Sequence, residues 1–262
     1  MAHRPDSLTN PTANPLTDHR ETLSCEAFSH LLRERRSVRD FLPTPVAPEL
    51  IACLLADAAQ APSWSNTQPY RLAVATGAKR DQLAQDLCAN FDAGMAAVRQ
   101  GWRGKLRAAI KRRGLPDGDL STQLSYPAEL QAKRRDTGHG LYDVLGIGRG
   151  DHAARERQIR RNFEFFGAPV VMFVFAHKAL KEFAVLDAGI MLQTLMLSAQ
   201  AHGLATCAQG ALATWGGPVR AAFAVPPSYL LVCGLSLGYA SADPINGYNP
   251  GRADVEGLCL RD

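Results

Sequence analysis

The alternation of apolar and polar positions divides the chain into helices and a few short strands. Phe28, Leu31 and Leu32 share one face of a helix predicted over residues 25–35, with Ser24 as its cap. Pro48 suits the first position of a second helix, to about residue 60, that turns Leu50, Ile51, Leu54 and Leu55 inward until Pro62 ends it. A polar loop over 62–69 leads to a strand over 70–76 and a helix over 81–98. Residues 99–151 are dotted with glycine and read as an excursion of short helices, and 152–165 returns to helix. The unbroken apolar run 169–176 suits a central strand covered on both faces. A helix over 186–202, apolar nearly all round and therefore expected to be buried on every side, stops at Gly203. A short strand or loop over 205–210, a short helix over 218–223, a strand over 229–239 and a loop from Asp243 complete the chain. Many helices and few strands, without internal repeats, predict an α+β sandwich: a small, mostly antiparallel sheet surrounded by helices. The expected organisation is a flexible N-terminal arm over 1–22 and one domain over 23–262, with the helical excursion at 99–151.

Composition narrows the function classes. The chain has 262 residues, 46% of them hydrophobic, enough for a sizeable core, and its formal charge of +4 suits anionic small ligands but is too weak to argue for nucleic acid. Residues 1–22 are polar and lack the apolar core of a signal peptide, and the apolar stretch 184–204 is interrupted by Asp187, Gln193, Gln200 and His202. No membrane attachment is expected. The six cysteines include no C-x-x-C pair; they read as reduced thiols of a cytoplasmic protein, and neither a disulfide framework nor a metal site is expected. Between residues 93 and 116 stand Arg99, Arg103, Lys105, Arg107, Lys111, Arg112 and Arg113 without an acid, either a solvated face or a landing site for a nucleotide phosphate.

Phosphate-loop, dinucleotide-fingerprint and zinc-protease motifs are absent. Gly234-Leu235-Ser236-Leu237-Gly238 matches the letters of a serine-hydrolase elbow, but that elbow needs a helix after the strand, and a proline- and glycine-rich loop follows here. Two clusters carry more weight. Arg35, Ser37 and Arg39 alternate in a segment that leaves a helix, so an extended chain points all three the same way, as a phosphate site requires; a solvated basic helix end is the other reading. The loop Pro62-Ser63-Trp64-Ser65-Asn66-Thr67-Gln68-Pro69 is rich in donors and acceptors and stiffened by proline, which suits a ligand or an ordinary turn.

Arg35-Arg36-Ser37-Val38-Arg39-Asp40-Phe41, then Ala61-Pro62-Ser63-x-x-Asn66-x-Gln68-Pro69-Tyr70, resembles the FMN-dependent nitroreductase family. Leu186-Asp187-Ala188-Gly189, Cys207-Ala208-Gln209-Gly210 and Leu237-Gly238-Tyr239-Ala240 follow in the family's order, so the resemblance spans roughly residues 28–256. It implies an intertwined homodimer with FMN at the subunit interface. Arg35, Arg36, Ser37, Arg39 and Arg252 would hold the phosphate and pyrimidine side of the cofactor. Gln209 and Gly210 would lie beside the ring, and Pro62, Ser63 and Asn66 would come from the partner chain. Pro250 stands where some relatives have a second basic residue. Trp64 and Phe166 are the expected substrate contacts, although the phenylalanines at 163, 165 and 166 suit a core as well. The implied reaction is ping-pong hydride transfer from NADPH or NADH to a small nitroaromatic or quinone acceptor, with no catalytic side chain. Substrate dehydrogenation or dehalogenation on the same fold is the alternative, and a hydrolase using Ser236 a distant one.

Overall fold

The computed structural model of the protein describes residues 24–111, 113–122 and 124–260; the expected arm over 1–22 lies outside them. The fold is built on strand β2 (Val170–His177), flanked by β1 (Tyr70–Thr76) and β4 (Tyr229–Gly238), with β3 (Ala205–Gln209) at the edge beyond β4. All pairings are antiparallel. As expected of an apolar run, β2 is covered on both faces. Val171, Phe173 and Phe175 enter one core with Leu83, Leu87 and Phe91 of helix α3 (Gly77–Arg99). Val170, Met172, Val174 and Ala176 enter a second with Leu54 and Ala58 of α2 (Pro48–Ala58) and the inner face of α7 (Lys181–Ala201). A register shift between Val174 and Phe175 puts an extra residue, Val232, into β4. Leu231 therefore joins the first core and Cys233, Leu235 and Leu237 the second.

Helix α1 (Cys25–Glu34) begins at the expected cap, where Ser24 Oγ accepts from Ala27 N at 3.0 Å. Pro48 opens α2, and Gly203, at φ +71°, follows the end of α7. Helix α7 is buried on one face only within a single chain. Ala184, Ala188, Met191, Leu195 and Ala199 are buried, but Phe183, Leu186 and Ile190 on its outer face are 49, 58 and 37% exposed. This helix is long and apolar enough to cross a membrane, yet its inner face packs on the sheet and carries the buried Asp187. The stretch between α3 and β2 holds α4 (Gly101–Lys111), α5 (Ala128–Val144) and α6 (His152–Arg160).

The boundary of one expected helix is corrected here. The helix expected over 152–165 ends at Arg160; the chain then turns through Phe165 and Phe166, both at positive φ, and drives them inward. Phe166 is 2% exposed and packs within the first core, in line with the core reading of these phenylalanines. The serine-hydrolase pattern is strand throughout. Ser236 is fully buried, and the two glycines are packing devices: a Cβ on Gly234 would meet the Leu212 side chain, and one on Gly238 would lie 2.6 Å from Pro169 Cδ.

Candidate functional site

After α1 the chain runs extended beside the free edge of β3. Ser37 forms a parallel bridge with Thr206, and Val38 N donates to Thr206 O at 3.0 Å. Because the bridge is parallel, Arg39 lies further along β3 toward Gln209, and Arg35 lies back toward its start. Arg35, Ser37 and Arg39 line a cavity of about 370 Å³, closed on the far side by Tyr248, Asn249, Pro250, Gly251 and Arg252. The tail and the arginine segment are locked together by Asn246, whose Oδ1 accepts from Arg39 N at 2.8 Å and whose Nδ2 donates to Asp40 O at 2.8 Å. Asp40 in turn pairs with Arg161 at 2.6 Å and accepts from the Ser241 hydroxyl. Asn246 and Asp40 escaped the sequence reading because their partners lie about 120 to 210 residues away.

Three of the arginines in this cavity are unmatched among the described residues. Among the described residues Arg35, Arg39 and Arg252 have no carboxylate partner. Burial, and then the charge of Arg252, push the Arg35 pKa down. Arg36 faces the same cavity, but its guanidinium is engaged by Glu34 and by the Asn246 carbonyl, both at 3.4 Å. Beneath lies Cys207, whose thiol burial pushes up to about 11 against the pull of Arg39, Ser37 and Arg35. Such a set of donors, two of them mutually repulsive, has the chemistry to take an anion.

Gln209 ends β3 and is buried. Its Oε1 accepts from Ser236 Oγ at 2.5 Å and its Nε2 donates to Asn162 O at 3.0 Å, so the hydroxyl of the hydrolase-like pattern orients an amide. Gly210, the next residue, is exposed, and a Cβ added there would meet nothing within 4 Å. The strand thus has charged donors along one stretch and open backbone at its end.

The loop 62–69 lies elsewhere. It precedes β1, at the opposite edge of the sheet and three strand spacings, about 14 Å, from β3. Along the strands, Tyr70 aligns through Ala176 with Leu230, whereas Thr206 aligns with Leu237, a further offset of roughly 20 Å. Pro62, Ser63 and Asn66 are therefore not brought to the arginine cavity within one chain. The loop has a specific, internally bonded conformation: Ser65, Asn66 and Gln68 sit at φ +49, +54 and +46°, and Ser63 Oγ accepts from Gln68 N at 2.9 Å. Trp64 N donates to both oxygens of the buried Asp187 at 3.1 and 3.2 Å, another role hidden in the sequence. The Trp64 ring packs 4.5 Å from that of Phe183 yet stays 58% exposed, continuing the apolar stripe on α7. Tyr70 is buried and its hydroxyl donates to Ala61 O at 3.4 Å, a core role.

One group of potential ligands was not visible in the linear sequence. The fold brings Cys53, Asp57 and His202 together, with one ligand atom of each within 4.8 Å of the others. Spacing along the chain hides such a group, because His202 comes 149 residues after Cys53.

The profile of the Nitroreductase family matches residues 32–239. A 4-nitrobenzoate reductase of Nocardioides sp. (strain LMS-CY) is 35% identical over 218 residues, covering 83% of this chain and 82% of that protein. The 4-nitrobenzoate reductase of Pseudomonas putida is 36% identical over 218 residues, covering 83% and 87%. Among solved structures, the FMN-dependent nitroreductase NfnB from Mycobacterium smegmatis in complex with NADPH superposes with a TM-score of 0.77 at 32% identity, over 90% of this chain and 98% of that one.

Proposed function

Because the chain belongs to the nitroreductase family, we propose that it is an FMN-dependent oxidoreductase that uses NADPH to reduce nitroaromatic or quinone-like acceptors by a ping-pong mechanism. The observation that carries this reading is the convergence of Arg35, Arg39 and Arg252, none paired with an acid among the described residues, on one cavity beside β3. A dianionic phosphate is the ligand that such charge lacks. Arg35, Arg252 and the Ser37 hydroxyl would hold it, with Arg36 at the rim. Arg39, further along β3, would lie by the pyrimidine edge, where a fixed cation stabilises negative charge on a reduced flavin. Gln209 and Gly210 would flank the ring, Gly210 because no side chain there obstructs close approach. Bound FMN supplies acceptance of hydride from a reduced nicotinamide and its donation to the electron acceptor. No nucleophile or general base is required of the chain, which agrees with the burial of Ser236.

The site is incomplete in one chain, and two observations support a homodimer. Pro62, Ser63 and Asn66 are remote from their own chain's arginines, and the stripe Trp64, Phe183, Leu186 and Ile190 is uncovered. A second copy laid on α7 would bury the stripe, at about 1 kcal/mol for each half-exposed side chain. It would also carry this loop, with Trp64 as an aromatic surface for the acceptor, to the first chain's flavin. Six free thiols agree with a cytoplasmic location. NADPH is preferred as donor because the Mycobacterium smegmatis relative carries it.

The deciding experiment is an anaerobic absorbance titration. The purified protein is expected to show a flavin spectrum that NADPH bleaches and 4-nitrobenzoate restores, with parallel double-reciprocal plots in the steady state. A flavin spectrum that NADPH and NADH leave unchanged would point to a dehydrogenation or dehalogenation reaction. No flavin after incubation with FMN would overturn the assignment.

A further inference from the structure

Cys53 and Asp57 stand one turn apart on α2, so both side chains leave the same face of the helix. His202 caps the C-terminal end of α7, against which α2 packs. A thiol, a carboxylate and an imidazole thus converge from two elements, all three ligand atoms within 4.8 Å of one another. Cys53 Sγ lies 3.6 Å from His202 Nε2. Zinc bonds of about 2.3 Å to sulfur and about 2.0–2.1 Å to nitrogen, at the tetrahedral angle, place two such ligands about 3.5–3.6 Å apart. The carboxylate has the outer partner that a metal ligand needs: the Ser198 hydroxyl donates to Asp57 Oδ2 and fixes its orientation. Cys53, Asp57 and His202 all lie at the surface, which leaves an entry path.

We propose that Cys53, Asp57 and His202 form a binding site for a divalent cation of the zinc class, with water as the fourth ligand. Thiolate and imidazole favour Zn2+ over Mg2+ or Ca2+, whose ligands are oxygens. Binding releases the Cys53 thiol proton to solvent as the metal–sulfur bond forms. The site ties the end of α2, which leads into the loop 62–69, to the end of α7, which leads into β3. Occupancy therefore stiffens the roots of two segments that carry functional residues.

The test uses the full-length, reduced holoenzyme titrated with Co2+ as a spectroscopic probe and then with Zn2+ in competition. The expected result is one Co2+ per chain, with thiolate charge-transfer and ligand-field bands, the latter lying to the red of the flavin, both displaced by Zn2+. Cys53→Ser, Asp57→Ala and His202→Ala each weaken Zn2+ binding by at least about tenfold, and Ser198→Ala weakens it by about tenfold through the carboxylate. Cys25→Ser and Cys259→Ser, at the other exposed thiols, leave it unchanged. A retained flavin spectrum verifies that each variant is folded, and His202→Gln replaces any variant that is not. Absence of the charge-transfer band, its dependence on Cys25 or Cys259 instead of Cys53, or equal Zn2+ affinity across the ligand variants would overturn the proposal.

Discussion

Arg35→Gln separates a residue that serves the fold from one that serves an anion. The guanidinium is partly buried, its pKa is pushed down first by burial and then by Arg252, and no carboxylate answers it among the described residues. Without ligand the charge costs stability; with a phosphate in the cavity it contributes a charge-assisted hydrogen bond. Such bonds contribute about 1.5–3 kcal/mol. At 1.4 kcal/mol per decade, the dissociation constant for FMN should rise by about 10- to 150-fold, toward the lower end because the cavity opens to solvent. The stability of the FMN-free protein should stay constant or increase, since glutamine keeps the Cβ–Cδ stem and a polar end and removes the repulsion with Arg252. Fluorescence titration of FMN into the apoprotein measures the first quantity and denaturant unfolding of the same sample the second. An FMN affinity within twofold of the parent, together with an apoprotein destabilised by more than about 1 kcal/mol, would show that Arg35 holds the fold together and that the anion reading is wrong.

Three further outcomes follow from the packing. Asp187→Ala removes the acceptor for Trp64 N and should cost about 1–3 kcal/mol in urea unfolding while making the 62–69 loop more sensitive to proteolysis; an unchanged midpoint would contradict the anchoring role. Gly238→Ala brings a Cβ to 2.6 Å from Pro169 Cδ, and because the proline ring has little freedom the loss should be about 1–3 kcal/mol, readable as a lower thermal midpoint. Burial raises the thiols of Cys88, Cys207 and Cys233 from 9.0 to about 11. The folded state therefore holds these protons more tightly than the unfolded chain. Its stability is fully present below about pH 9 and falls as pH rises toward about 11, and Cys233→Ala should flatten that decline in urea midpoints measured across the range.

Much of the fold follows from local chemistry along the chain. Ser24, Pro48 and Gly203 are capping and stopping residues whose backbone preferences act without any distant partner, and α1, α2 and α7 begin or end beside them. The unbroken apolar run in β2 requires cover on both faces wherever it is placed. Arg35, Ser37 and Arg39 share one face because a side-chain period of two is a property of extended chain. Other features exist only once distant segments pack together. That Phe166 is core, that Ser236 orients Gln209, and that Asn246 clamps the arginine segment depend on contacts between residues 27 to 207 positions apart or on a turn at positive φ. The outer face of α7 is equally apolar in composition whether it is covered or not; only the packing of the chain shows that Phe183, Leu186 and Ile190 remain open. The Cys53, Asp57 and His202 cluster has no signature in linear spacing, because ligands from two elements meet only when α2 and α7 pack together. Periodicity and capping are short-range physics and can be read along the chain, whereas charge left unmatched, apolar surface left uncovered and ligands brought together are properties of the folded surface.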